Sequence, residues 1–370
     1  MEAPRTKRQR VAKKLSQVLG DNSISIKSIQ RIVGELGSDE GPVTRHALRA
    51  QHSERLQHVR HDEALIDKNG DPLQWTFCEP GKLLQYMVET CPRLMEIYAE
   101  AANRHRGEWS TIVTFDEMVP GDKLKTNNHR KAMSLCFSFV ELGRRFLVLP
   151  CVWMFPVFVR SWLYNAVEGG WSNFLRIYLR RQFLSANALS TAGIPLMLFG
   201  EPFLLKAKLT HLESDGDGLR SALNWKGANA LRCCWYHWNC TKKDSTVVEQ
   251  SADHLVDITC TDHRRFKKQT DAHLDEDIAV IEAAAKRLPE GTITKELHDN
   301  ICMSRGLNYN KHGVLWDRSV RQLVATPLQI NVFVICYQIP IDRGLTDLLQ
   351  PDANEVALSE TGSEIKNQHE

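Results

Sequence analysis

Two groups of residues in this chain have types and spacings suited to chemistry: carboxylates at the ends of β-rich runs, and a Cys/His cluster. Asp116 closes the run WSTIVTFD at residues 109–116, and Asp215 and Asp217 lie in the acidic turn ESDGD at residues 213–217. Carboxylates are natural ligands of hard Mg²⁺. Two such ions about 3.5–4 Å apart activate an in-line nucleophile and stabilise the leaving oxygen of a phosphodiester. A single aspartate in such a place is equally well explained as a turn former. The relation between Asp116 and the later pair is what gives the reading content.

The second group is KGANALRCCWYHWNC at residues 226–240, followed by CTDH at residues 260–263. Cys234 and His237 share the C-x-x-H spacing of Cys260 and His263. Together these four make a candidate tetrahedral Zn²⁺ site with two sulfurs and two nitrogens, with Cys233 and Cys240 as substitutes. Four protein ligands leave no open position, so such a zinc is structural. The competing reading is buried thiols beside surface histidines. Trp235, Tyr236 and Trp238 stand among Arg232, Lys242 and Lys243. That mixture suits stacking on unpaired bases. It suits equally well core rings beside solvated charges. Other nucleophile schemes find no support, since neither a G-x-S-x-G elbow nor a phosphate-binding Gly-rich loop is present.

Positioning these groups requires a sheet. Residues 109–116, 132–142 and part of 146–159 read as three β-rich runs. Residues 168–183 read as a helix with Phe174, Leu175, Tyr178 and Leu179 on one stripe and Arg176, Arg180 and Arg181 outside. Residues 195–212 form a fourth strand region interrupted at 200–202, and the acidic turn follows directly. Residues 82–104 have the apolar spacing of an amphipathic helix that Pro92 can split. Three strands, a helix and a further strand specify a mixed sheet with helices against it. The fold class is therefore α/β (α+β), and the order matches the opening of the RNase H fold. In that fold one acid sits on the first strand and another at the end of the fourth, where Asp116 and the Asp215/Asp217 pair fall.

Net charge is only +2, but residues 4–14 hold six Lys or Arg and no acid. Such an arm attracts phosphates or serves as a nuclear address, or is simply a solvated terminus. Residues 9–36 read as two short helices, either a helix-turn-helix or a plain hairpin. The apolar runs 146–159 and 328–341 fall short of the roughly 20 residues a bilayer requires, so no membrane partner is expected. No signal peptide is visible at the start, and ten cysteines without a regular framework fit reduced thiols in a nuclear or cytoplasmic setting. The expected organisation is a basic arm with short helices (1–36), a linker or loop (37–81), the first part of an RNase H-like core (82–225), a Cys/His-rich insertion (226–275), an incomplete helical remainder (276–350) and a disordered acidic tail (351–370).

The segments FDEMVPGDKL, SLCFSFVELG, VEGGWSNFLR, KGANALRCCWYH and GLNYNKHGVLWDRSVR resemble a family of protist transposon-derived open reading frames. That family is distantly similar to CACTA-type DDE transposases, and the likeness spans roughly residues 83–321. It implies a DDE nuclease core, DNA as partner, a divalent metal, and action in the nucleus by metal-activated attack on a phosphodiester. Asp116 matches the first acid and Asp215 or Asp217 the second, while the C-x-x-C of relatives is replaced by Cys234 and His237. The third acid of relatives lies in an Asp-x-x-His pattern that the run VATPLQINVFVICYQIPIDRGL lacks. Asp342 and Glu282 are poor substitutes. The resemblance thus implies a truncated or degenerate member, changed near Ala325, with an impaired catalytic set. The alternative is a zinc-stabilised nucleic-acid or protein interaction module without catalysis.

Overall fold

The computed structural model describes residues 57–118, 131–242 and 255–324. The basic arm, the two helices expected within 9–36, Lys243, the apolar run 328–341, Asp342 and the acidic tail lie outside the described residues. Within them the chain is a mixed α/β protein. Its central sheet has four strands in the order β5–β4–β3–β8: β3 (Trp109–Met118), β4 (Ala132–Phe139), β5 (Met154–Arg160) and β8 (Ala207–Glu213). The first three run antiparallel, and β8 runs parallel to β3.

Alternation explains β3. Trp109, Thr111, Val113 and Phe115 are almost wholly buried on one face, and Asp116 is exposed on the other. On β4, Met133, Leu135, Phe137 and Phe139 continue the buried face. Strand β8 keeps this phase only through a bulge. Thr111 pairs with Leu209, yet Ile112 pairs with His211, so Thr210 is the extra residue. The bulge returns Leu212 to the core face and puts His211 and Glu213 on the face shared by Asp116.

A parallel strand requires a crossover. Here it consists of α3 (Ser161–Ala166), α4 (Gly170–Leu179) with a π-helical turn at Arg180–Leu184, and the hairpin of β6 (Ile194–Leu198) and β7 (Glu201–Leu205). The expected stripe of Phe174, Leu175, Tyr178 and Leu179 is completely buried. Trp171 meets Phe115 of β3 at 5.7 Å between ring centroids, which fixes α4 on the sheet. The region 82–104 divides at Pro92 into α1 (Pro80–Thr90) and α2 (Pro92–Arg104), with Cys91 between them. Each helix begins on a proline, whose missing N–H costs nothing in a first turn. Tyr98 of α2 then stacks on Trp109 at 5.9 Å.

Residues 57–81, expected to be linker, instead form a hairpin of β1 (Arg60–Ile66) and β2 (Pro72–Cys78) leading into α1. Its turn is stabilised by Asp67, whose Oδ1 accepts the N–H groups of Asn69 and Asp71 at 2.8 Å each. Gly70 takes φ +91°, a conformation that suits glycine. Trp75 and Phe77 bury the inner side, and Trp75 reaches Phe174 of α4 at 4.7 Å. The outer side is polar, which gives the segment its loop-like composition.

After β8 come α5 (Gly216–Leu223), the Cys/His segment with the short parallel pair β9 (Cys240–Thr241) and β10 (Val256–Asp257), and the helices α6 (Asp271–Arg287), α7 (Lys295–Arg305) and α8 (Arg318–Val324). Ser172 of α4 donates to the Ala222 carbonyl of α5 and accepts from the Val314 N–H. One buried hydroxyl therefore ties three distant parts of the chain together. No helix among the described residues is long and apolar enough to cross a membrane.

Candidate functional site

Asp116 lies near the C-terminal end of β3, opposite Ser134 of β4, whose hydroxyl donates to the Asp116 carbonyl at 3.3 Å. On the other side the parallel register ends with Thr114 facing Glu213. The Ser214 hydroxyl donates to the Phe115 carbonyl at 2.6 Å, so the two chains still run together one residue further on. Asp116 and Asp215 each lie two residues beyond the Thr114/Glu213 pair, Asp116 still on β3 and Asp215 just past the end of β8. Asp215 is also the N-cap of α5, and its Oδ1 accepts the Gly218 N–H at 2.6 Å. Asp116 Oδ1 accepts the Glu117 N–H at the same distance. Asp217 sits elsewhere, in the first turn of α5, 80% exposed and paired with Arg220 at 3.1 Å.

These carboxylates offer hard oxygen donors of the kind Mg²⁺ prefers, each with one oxygen engaged by a backbone N–H. Among the described residues no three His, Cys, Asp or Glu side chains are arranged to hold a metal ion. Asp116 and Asp215 are thus two carboxylates near one end of the sheet. Glu282 lies on α6.

Two residues the motifs did not single out share the face of Asp116. Burial pushes the Glu213 carboxyl above its ordinary range and the His211 imidazole below its own. The Thr210 bulge, which spacing alone does not reveal, puts them there. A cleft of about 600 Å³ is lined by Tyr164, Gly169, Asp217, Arg220, Lys226 and Asn308. Tyr164 donates to Glu117 at 3.1 Å, linking the cleft to the end of β3. Burial, then the Glu117 charge, pushes that phenol up to about 12.

In the Cys/His segment the structure brings Cys234 Sγ to 3.4 Å from His237 Nδ1 and Cys233 Sγ to 3.9 Å from Cys240 Sγ. Tetrahedral zinc with Zn–S near 2.3 Å and Zn–N near 2.0–2.1 Å places two sulfurs about 3.8 Å apart and a sulfur and nitrogen about 3.5 Å apart. Each pair has such a separation, although no three of these groups converge as a metal set. The hydrogen bond from Cys240 pulls the Cys233 thiol below its usual range and raises that of Cys240. Cys260 packs against the same small core, while its Sγ lies 3.8 Å from the Asp262 carbonyl and 3.9 Å from Arg265. His263 is exposed on the turn His263–Arg265.

The neighbouring rings are held by the protein itself. Trp238 stacks on His273 at 4.7 Å, and the cations of Arg232 and Lys267 each lie 5.9 Å from its ring. Arg232 is not a solvated cation. Its side chain is 11% exposed and grips both oxygens of Asp277 at 3.0 and 3.1 Å, and Arg305 joins the same carboxylate at 2.8 Å.

No family model matches the chain, and no curated protein is similar to it.

Proposed function

We propose that this chain is a transposase-like, DNA-binding protein with an RNase H-type core and an impaired DDE nuclease site, acting in the nucleus. The observation that carries the reading is the sheet. Three antiparallel strands are followed, after a helical crossover, by a fourth strand parallel to the first, and an acid stands at the end of each of those two parallel strands. Asp116 and Asp215 are the residues that would share a divalent ion. Such an ion, when bound, supplies positive charge to a phosphodiester oxygen. Asp215 also keeps α5 capped, which holds its carboxylate at the sheet end.

The test is plasmid DNA with and without Mg²⁺. We expect duplex binding, with at most slow Mg²⁺-dependent nicking that Asp116→Asn abolishes. Nicking that persists in Asp116→Asn, or failure to bind duplex, refutes the reading.

A second reading, a zinc-stabilised interaction module, is favoured by the Cys233–Cys240 and Cys234–His237 separations. It takes its ligands from one short segment, in place of Cys260 and His263. Metal analysis of purified protein decides it: about one zinc per chain, lost in Cys234→Ser but kept in His263→Ala, is the expected pattern.

A further inference from the structure

A second cleft, of about 590 Å³, opens between β1 and α4. Arg176, Arg180 and Arg181 line it together with His61 and His312, and Glu63 and Glu168 are its acids. Around it, three carboxylates are each shared by two bases. Asp317 holds Arg176 at 3.4 Å and Arg180 at 2.5 Å. Glu79 holds Arg181 at 3.1 Å and Lys82 at 2.9 Å. Glu168 holds Lys311 at 2.8 Å and His312 at 3.1 Å. With Glu63 included, five Lys or Arg side chains face four carboxylates, a positive surplus before either histidine is counted.

Over-shared carboxylates leave guanidinium donors incompletely neutralised. Arg180 and Arg181 keep 50% and 34% of their side chains exposed beside the cleft. Guanidinium forks match the oxygens of phosphate, often in bidentate fashion. The site is also built from two segments whose roles the acids do not explain. Arg176 belongs to VEGGWSNFLR, and its Nε donates to the His312 carbonyl of GLNYNKHGVLWDRSVR at 3.0 Å. The turn at Gly169 separates this cleft from the one beside Asp217: Glu168 lines the first, and Gly169 and Gly170 line the second.

We propose that the Arg176/Arg180/Arg181 cleft is a binding site for the phosphodiester backbone of a nucleic acid, whose strand continues over Gly169 towards the Asp116/Asp215 end of the sheet. This rests on the reading of the chain as DNA-binding. The site holds phosphates irrespective of base, and its contribution to affinity is electrostatic and salt-dependent.

The experiment uses the full chain and a labelled duplex of about 20 base pairs, with anisotropy titrations at several salt concentrations. The variants are Arg180→Ala and, at an exposed position on the cleft wall, Ile66→Glu. Arg93→Ala, an exposed arginine outside the cleft lining, is the control. We expect about 3- to 10-fold weaker binding in both cleft variants, a log–log salt slope shallower by about one in Arg180→Ala, and no change in the control. If Arg180→Ala does not fold, Ile66→Glu alone decides.

Normal duplex binding by the cleft variants overturns the proposal and leaves the DNA-binding reading standing. Weakened binding in these variants together with nicking that persists in Asp116→Asn upholds the cleft while the nuclease-site reading fails. Inorganic phosphate is the second arm. Competition by phosphate at the same total phosphate concentration as the duplex overturns the polynucleotide assignment, and competition only at far higher concentration supports it.

Discussion

Replacing Asp277 with asparagine should destabilise the protein by about 3 kcal/mol, and replacing it with alanine by about 4–5 kcal/mol. The magnitude follows from the surroundings. The Asp277 residue is 3% exposed, and its carboxylate is the shared partner of Arg232 and Arg305, whose side chains are 11% and 20% exposed. Removing the Asp277 charge takes away the buried carboxylate that the two guanidiniums share, and Glu276, 3.6 Å from Arg305 and 66% exposed, is too solvated to replace it, so the lost charge compensation supplies most of the cost. Asparagine keeps an acceptor oxygen and the volume, so it loses less. About 3 kcal/mol is roughly a hundredfold in the folded-to-unfolded ratio. The assay is equilibrium urea unfolding followed by tryptophan fluorescence, with an unchanged m value showing that the midpoint shift reports stability. An apolar set, Asp277→Leu with Arg232→Met and Arg305→Met, should recover most of the loss, because it removes every charge together. If Asp277→Asn costs under 1 kcal/mol, or the triple variant is no better than Asp277→Ala, the account of a charge-coupled triad joining the Cys/His segment to α6 and α7 is wrong.

Trp171→Ala should cost about 3–5 kcal/mol, read as a lower thermal midpoint, because a wholly packed ring against Phe115 is lost from the α4–sheet contact. Because burial holds the His211 imidazole below its ordinary 6.5, the unfolded chain binds a proton first as pH falls. Stability should therefore decline on acidification from about 6.5 downward, and His211→Gln should flatten that decline in urea titrations at successive pH values. Glu213 has the opposite sign: its raised pKa means that the charged form is disfavoured by folding, so Glu213→Gln should stabilise at pH 7 and lose the advantage below pH 4.5. Gly306→Ala should destabilise, since the residue has φ +76° and an added methyl would lie 2.7 Å from the Arg232 carbonyl. A retained thermal midpoint in that variant would count against the close approach.

Much of the central sheet was legible because its strands alternate strongly. The runs at 109–116 and 132–142 became β3 and β4 with only their ends shifted, and the break expected at Pro92 falls there. The hairpin at residues 60–78 is hidden by its loop-like composition, although its DKNGD turn carries the Asn-Gly signal of a hairpin. Its outward residues are polar because only one face is buried, and composition hid the alternation of Leu73, Trp75 and Phe77. The acids divide similarly. Local order points to Asp116 and the Asp215/Asp217 pair, and only the cap of α5 and the parallel register distinguish Asp215 from Asp217. Spacing identified Cys234 with His237. It gave no way to see that Cys233 lies against Cys240 while His263 stays outside, because residues 255–266 return to the cluster by tertiary contacts. Arg232 looked like a surface cation for the same reason: its partner is 45 residues away.

The extra residue at Thr210 has a consequence for which changes the chain can survive. Deleting it would let His211 follow Leu209 directly, with His211 still opposite Ile112, Leu212 opposite Val113 and Glu213 opposite Thr114. Flattening the bulge with Thr210 kept is the damaging change: Thr210 would then face Ile112, His211 would face Val113, Glu213 would face Phe115, and Leu212 would be turned to the outside. One residue of register thus separates an acid-fronted sheet edge from a carboxylate driven into oil. Loss of Thr210 should therefore be accepted, as should length variation in the tight β6–β7 connection at Phe199 and Gly200, where nothing crowds the glycine.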